Sequence, residues 1–298
     1  MARIVLVGEA MHELLQSRNA RNWALGYGGD TLNTAIHLAR AGHDTAYLTA
    51  IGSDPLSATL KGDWAADGLD TALILTHPHR SSGLYAIKTD AAGERSFSYW
   101  RDTSAARDMF ALPGMSEALA IAEQADMLGF SLVSLAILPP DGRSALLALA
   151  RKVSARGGKV AFDGNYRPRL WTHPEEARKA RDAAIACADI GLPTLEDETL
   201  LSGEGDADSV AAHWIGLGCT ETVVKLGAAG CRLAHGTVIV PPKRLIPFDT
   251  SGAGDAFNAG YLAARLQGLP EAEAAAAGHA LAGWTIMRPG AIPARNER

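Results

Sequence analysis

Short apolar runs that end at glycine alternate along this chain with stretches whose apolar positions recur every three or four residues. Residues 4–7 are continuous, β-branched and apolar, and stop at Gly8, the pattern of a central parallel strand. Residues 45–51, stopping at Gly52, read the same way, as do 127–133, 159–163, 190–192 and 221–226. Helical periodicity follows Gly28-Gly29 through Ile36, Leu38 and Ala39 to Gly42, and again over 56–67, closed by Gly68. Further helices are predicted over 116–123, from Pro139-Pro140-Asp141 to Ala155 with Gly157-Gly158 as stop, over 175–187, and over 271–287.

Two stretches break the strand–helix rhythm. Residues 81–100 read as two alternating strands joined at 91–94, a hairpin and a candidate lid carrying Tyr85, Tyr99, Trp100 and Arg101. Residues 9–29 read as strands of a small peripheral sheet. A second hairpin is expected about Gly236, from 231–235 and 237–240. Strand–helix alternation over the rest predicts an α/β fold, a parallel sheet with helices on both faces.

The densest chemistry lies in Asp249 to Leu262, DTSGAGDAFNAGYL. Gly252 and Gly254 leave a turn almost bare of side chains, and an amphipathic helix follows. Such a junction presents free N–H groups and the positive end of the helix dipole, an anion site. Asp255 at its mouth makes sense if it takes a proton from a hydroxyl that attacks phosphorus. The same residues would also serve as an ordinary capped helix start. At Gly28-Gly29-Asp30-Thr31-Leu32-Asn33 a second glycine turn feeds a helix. There Asp30 and Asn33 suit sugar hydroxyls, and plain capping suits the pattern as well.

Composition narrows the class. A net charge of −5 argues against a nucleic-acid surface, and the absence of an apolar run long enough to span a bilayer argues against a membrane protein. Cys187, Cys219 and Cys231 follow no metal-ligand spacing and suit reduced thiols in a cytoplasmic protein. The histidines form no HExxH, so no protein metal site is expected. Neither a GxxxxGK[ST] loop nor a GxGxxG after the first strand occurs, which disfavours P-loop nucleotide binders and nicotinamide dehydrogenases.

DTSGAGDAF resembles the C-terminal signature of the ribokinase-like (PfkB) carbohydrate kinases, and Gly28-Gly29, Asn33, Gly42 and Gly52 fall at the spacings of the N-terminal one. The resemblance covers essentially the whole chain. It implies a single Rossmann-like three-layer α/β/α kinase domain over 1–298 with a small β-sheet lid at about 10–30 and 81–103. Within the family, GGDTLN, GLYAIKTDAAGERSFSYWR, SLAIL and FDGNYRPRLW are similar to the 2-keto-3-deoxygluconate kinases. That similarity implies ATP-dependent phosphorylation of the sugar acid, with Asp255 as base and the amides of Gly252, Ala253 and Gly254 as anion hole. It puts Gly29, Asp30, Thr31, Leu32, Asn33, Tyr85, Tyr99, Arg101, Val133 and Arg167 on the sugar acid. It puts ATP along Asn165, Arg167, Thr194, Lys225, Gly227, Gly230, Gly252, Gly254 and His279. Magnesium, potassium near Asp249, and a homo-oligomer through the lid are also implied. Physics supports the acid independently, because a carboxylate is best recognised by a guanidinium, and Arg101 and Arg167 offer one each. Two departures stand out: Leu226 where relatives carry a basic residue, and Leu132 in place of a usual glycine.

Overall fold

The computed structural model describes residues 2–16, 22–89, 95–203 and 205–294; the joint expected at 91–94 lies outside them. Strands are β1 (Arg3–Val7), β2 (Met11–Gln16), β3 (Trp23–Gly28), β4 (Asp44–Gly52), β5 (Ile74–His77), β6 (Gly83–Thr89) and β7 (Arg95–Trp100). They continue as β8 (Met127–Ser131), β9 (Lys159–Asp163), β10 (Ile190–Gly191), β11 (Glu221–Lys225), β12 (Cys231–Leu233) and β13 (Val238–Ile239). The first helices are α1 (Asp30–Arg40), α2 (Pro55–Ala66), α3 (Met115–Ala122), α4 (Leu132–Ile137) and α5 (Pro140–Ala155). After them come α6 (Pro174–Ile185), α7 (Leu195–Ser202), α8 (Ala207–Gly216), α9 (Ala253–Leu266) and α10 (Glu271–Ile286).

The large sheet runs β13-β12-β11-β10-β9-β8-β1-β4-β5, parallel from β11 to β5 with the β12–β13 hairpin added antiparallel at one edge. Alternation along β1 explains the layers. Val5 and Val7 enter a core built with Leu146, Leu149 and Val153 of α5, Ala184 of α6 and Trp214 of α8. Ile4 and Leu6 enter a second core with Ile36 of α1, Trp64 of α2, Phe257 of α9 and Ala274 of α10. A strand covered on both faces must be apolar throughout, which is why residues 4–7 show no alternation. Each large side chain buried this way contributes about 1.5–3 kcal/mol.

The small sheet runs β3-β2-β6-β7, with β2 and β6 parallel and both outer pairs antiparallel. It is built from the irregular 9–29 segment together with the 81–100 hairpin, as the alternating pattern predicts. One expected strand ends early. Residues 132 and 133 belong to α4, because Ser131 and Ser134 form a reciprocal capping box that starts a helix there. The buried Leu132 thus packs in the main core rather than extending β8. Helices α7 and α8 and strand β5 carried no clear periodicity in the sequence. Cys187, Cys219 and Cys231 are unpaired, buried thiols. No helix among the described residues is long and apolar enough to cross a membrane.

Candidate active site

The first turn of α9 is shaped from behind. Gly252 caps the helix with φ 68°, and a Cβ there would lie 2.5 Å from the Cβ of Ala291. The carboxylate of Asp249 braces the turn, accepting the N–H of Ser251 (2.9 Å) and of Gly290 (2.8 Å). The following tail is held to α1, where His37 Nε2 lies 3.0 Å from the Ala291 carbonyl and Arg40 donates to that of Pro293 (2.6 Å). The N–H of Ala253 reaches the Thr250 carbonyl at a long 3.3 Å, while those of Gly252 and Gly254 have no backbone partner among the described residues. Helix starts leave such donors open.

Asp255 sits one step further along this turn. Its Oδ2 accepts from Asn33 Nδ2 at 2.7 Å, and its backbone carbonyl accepts from Thr34 Oγ1 at 3.2 Å. Burial, with the nearby Asp30 charge next, pushes its carboxyl up to about 7; the Asn33 hydrogen bond and Lys225 pull the other way. Asp30 is itself held, accepting from its neighbour Thr31 N–H and from Asn165 Nδ2, both at 2.8 Å. The turn before α1 needs Gly29, since a Cβ there would meet the Glu9 carbonyl at 2.3 Å.

Below α9, three polar groups from three elements close on one another. Lys225 Nζ donates to Asp163 Oδ1 and Asn258 Oδ1, each at 3.1 Å, and Asn258 Nδ2 donates to Asp163 Oδ2 at 2.7 Å. All three are largely buried, so the ammonium has its charge and two of its hydrogens satisfied by the protein. The adjoining His279 donates from Nε2 to the Ile239 carbonyl (3.0 Å) and packs on Phe257; burial lowers its pKa.

On the small-sheet side, Tyr85 donates its hydroxyl to Glu13 and stacks with Tyr99, centroids 6.0 Å apart. Arg101 is buried against Glu9, donating from both Nε (2.8 Å) and Nη2 to the same oxygen, Oε2. Arg167 is about half exposed and donates to Asp197 (3.1 Å). Asp197 has its pKa raised, chiefly by burial and against the pull of Arg167.

One cleft of about 1240 Å³ joins these groups. It is lined by Gly29, Asp30, Asn33, Tyr85, Tyr99, Arg101 and Val133 on the sugar side of the sequence reading. Asn165, Arg167, Thr194, Lys225, Gly227, Gly230, Gly252, Ala253, Gly254, Asp255 and His279 line the rest. Thr31 and Leu32 do not line it. Thr31 Oγ1 pairs with Tyr47 Oη (3.0 Å) in the core, and Leu32 is fully buried, because both lie on the inward face of α1. Glu9, at the end of the first strand, lines the cleft as well; the sequence reading missed Glu13, which lines it too, and the supports Asp163 and Asn258. Asn258 was within reach: it stands three residues after Asp255, on the same side of a helix.

The profile of the family described as "pfkB family carbohydrate kinase" matches residues 1–298. The chain is 42% identical to the 2-dehydro-3-deoxygluconokinase of Dickeya dadantii (strain 3937), covering 97% of this chain and 96% of that protein. With the Haemophilus influenzae protein of the same name it shares 35% identity over 98% and 96% of the respective chains. Among solved structures, the PfkB protein of Polaromonas sp. JS666 superposes with a TM-score of 0.86 at 28% identity, over 100% of this chain and 98% of that one. The fructokinase with bound ATP from Xylella fastidiosa shares the fold, with a TM-score of 0.84 at 24% identity over 98% and 96% of the chains.

Proposed function

As this chain belongs to the pfkB family of carbohydrate kinases, we propose that it transfers the γ-phosphoryl group of ATP to the 6-hydroxyl of 2-keto-3-deoxygluconate. The observation that carries this reading is Asp255 at the open amides of α9, hydrogen-bonded to Asn33, in a cleft that also holds Arg101 and Arg167. ATP lies along the β9, β11 and α9 ends of the cleft and the sugar acid beneath the small sheet. That sheet acts as a lid, and its closure excludes water that would otherwise hydrolyse ATP.

Asp255 accepts the proton of the 6-hydroxyl, and that oxygen attacks the γ-phosphorus in line. A carboxyl titrating near 7 is suited to the task, because at neutral pH it is substantially ionised and still basic. The N–H groups of Gly252 and Gly254, with the weakly engaged Ala253, stabilise charge that builds on the transferred phosphoryl. Magnesium supplies charge neutralisation on the phosphates when bound. Asp163 and Asp197, which line the same cleft, suit a hard cation that takes one or two carboxylates alongside phosphate oxygens. Asp249, beside which potassium belongs in this reading, braces the anion turn from its other side.

The small sheet leaves Trp23, Leu25, Phe97 and Trp100 well exposed, and a second copy of the chain covers them in this reading. Sedimentation of a Trp23→Ser/Trp100→Ser variant checks it: the mass should fall to that of one chain.

The deciding experiment is release of ADP from ATP with 2-keto-3-deoxygluconate beside fructose and ribose. The reading requires the sugar acid to be preferred by a wide margin in kcat/KM. Preference for fructose would replace it with a neutral-sugar kinase, and no ADP release with any of them would remove catalysis altogether.

A further inference from the structure

Glu9 has no part in the reaction described above, yet it stands where the two sheets meet. It lies between β1 of the large sheet and β2 of the small one. Its partner Arg101 directly follows β7, where the chain leaves the small sheet again. Gly83, which opens β6, packs at the same crossing, and a Cβ on it would come 2.9 Å from Glu9 Oε1 and 3.3 Å from Arg101 Cβ.

The ion pair is lopsided. Arginine and carboxylate are matched best when two N–H groups meet two oxygens. Here Nε and Nη2 both point at Oε2. Oε1 is left buried with no hydrogen-bond partner, and Nη1 makes no hydrogen bond among the described residues. Burying an unpaired carboxylate oxygen is unfavourable, and such exceptions call for an explanation. A pair selected for stability alone would use both oxygens. A pair that uses one oxygen holds the guanidinium from its inner edge and leaves the outer nitrogen unspent. Both residues line the cleft.

We propose that Glu9 is a positioning residue that fixes Arg101 so that Nη1 receives the carboxylate of the substrate, and that it thereby sets the preference for sugar acids. The proposal rests on the reading of Arg101 as the acid receptor. An arginine has several rotatable bonds, and immobilising such a side chain is costly at the moment of binding. Glu9 removes that cost in advance, and it does so at the hinge, so the receptor keeps its place as the lid moves. Its contribution falls on binding of the acid and not on phosphoryl transfer.

A double-mutant cycle tests this, with KM for 2-keto-3-deoxygluconate, KM for ATP and kcat read for each variant. Arg101→Leu tests the underlying reading: it raises KM for the acid and leaves KM for ATP unchanged. Glu9→Gln is then expected to raise KM for the acid about tenfold, the cost of about one immobilised side chain, with kcat and KM for ATP within about twofold. In the Arg101→Leu background the same change should add less than about twofold, because Glu9 acts only through Arg101. Glu9→Asp keeps the charge but withdraws it by one methylene; it should raise KM for the acid as well, and it stands in should Glu9→Gln not fold. If the Arg101 variant behaves as stated while both Glu9 variants keep the wild-type KM, the proposal is overturned and the acid-receptor reading survives. An undiminished Glu9 effect in the Arg101→Leu background also overturns it, since Glu9 would then act on the sugar by itself. An unchanged KM for the acid in Arg101→Leu removes the reading and the proposal together.

Discussion

Asn33 donates its side-chain amide to the carboxylate of Asp255 at 2.7 Å, joining the start of α1 to the start of α9 across 222 residues of chain. The bond orients the carboxylate and stabilises its ionised form. Burial and Asp30 act in the opposite sense. The balance leaves this carboxyl titrating near neutrality, at about 7.

Replacing Asp255 by Asn removes the proposed base and keeps an acceptor for Asn33. The expected loss in kcat is about 10²-fold or more, with ATP still bound. Titration of nucleotide binding beside steady-state kinetics checks both halves. Turnover within a few-fold of the wild type would show that some other group takes the proton.

The same substitution should stabilise the protein above neutral pH. An unfolded Asp titrates near 3.8, whereas the folded one titrates at about 7. Between those values the folded chain holds a proton that the unfolded chain has released, so stability falls as pH rises through the interval and stays lower above it. Asp255→Asn is free of this penalty. Thermal melts at pH 8 should therefore favour the variant by at least about 2–4 °C, a shift that corresponds to roughly 1 kcal/mol in a chain of this size. At pH 4 the advantage should vanish.

Activity carries the same titration. kcat/KM for the wild type should fall tenfold per unit below about pH 7 and level off above it, because the free enzyme needs its base ionised. Asn33→Leu deletes a bond that favours the ionised form. It should move that limb to higher pH, apart from any rise in KM. A limb that stays in place would mean that the profile reports a different group.

Lys225 separates a structural role from a phosphate-gripping one. Its ammonium is shared by Asp163 and Asn258. Lys225→Met would strand a buried carboxylate, at a cost of about 1–3 kcal/mol or more. The melting temperature should drop even without nucleotide. Were it unaffected while KM for ATP rose, the lysine would belong to the phosphates alone.

Much of this architecture was legible in the residues. The uniform apolar run of β1 announced a strand covered on both faces, and the alternating 81–100 segment announced a sheet of another kind. The glycine turns at 28–29 and 252–254 marked both halves of the cleft, and a Cβ at Gly29 or Gly252 would collide with Glu9 or Ala291. What stayed hidden was set by partners distant in sequence. Residues 195–202 and 207–216 form α7 and α8 largely through tertiary packing, for instance of Trp214 on Phe162. Thr31 and Leu32 sit inside a motif that is otherwise in the cleft, and only the facing of α1 against Tyr47 turns them inward. Lys225 read only as an ATP contact because nothing local betrays Asp163 and Asn258. Glu9 could be seen after β1, but its pairing with Arg101 spans 92 residues.

The residues just before position 294 give the glycine turn at the start of α9 its backing. Ala291 occupies the space in which any side chain at Gly252 would stand, and its carbonyl and that of Pro293 are moored to α1. This tail works as a keystone, holding the arch of amides in shape from behind. Trimming the protein back to residue 289, by protease or by a stop codon, should therefore silence the enzyme while taking only Ile292 from the edge of the second core.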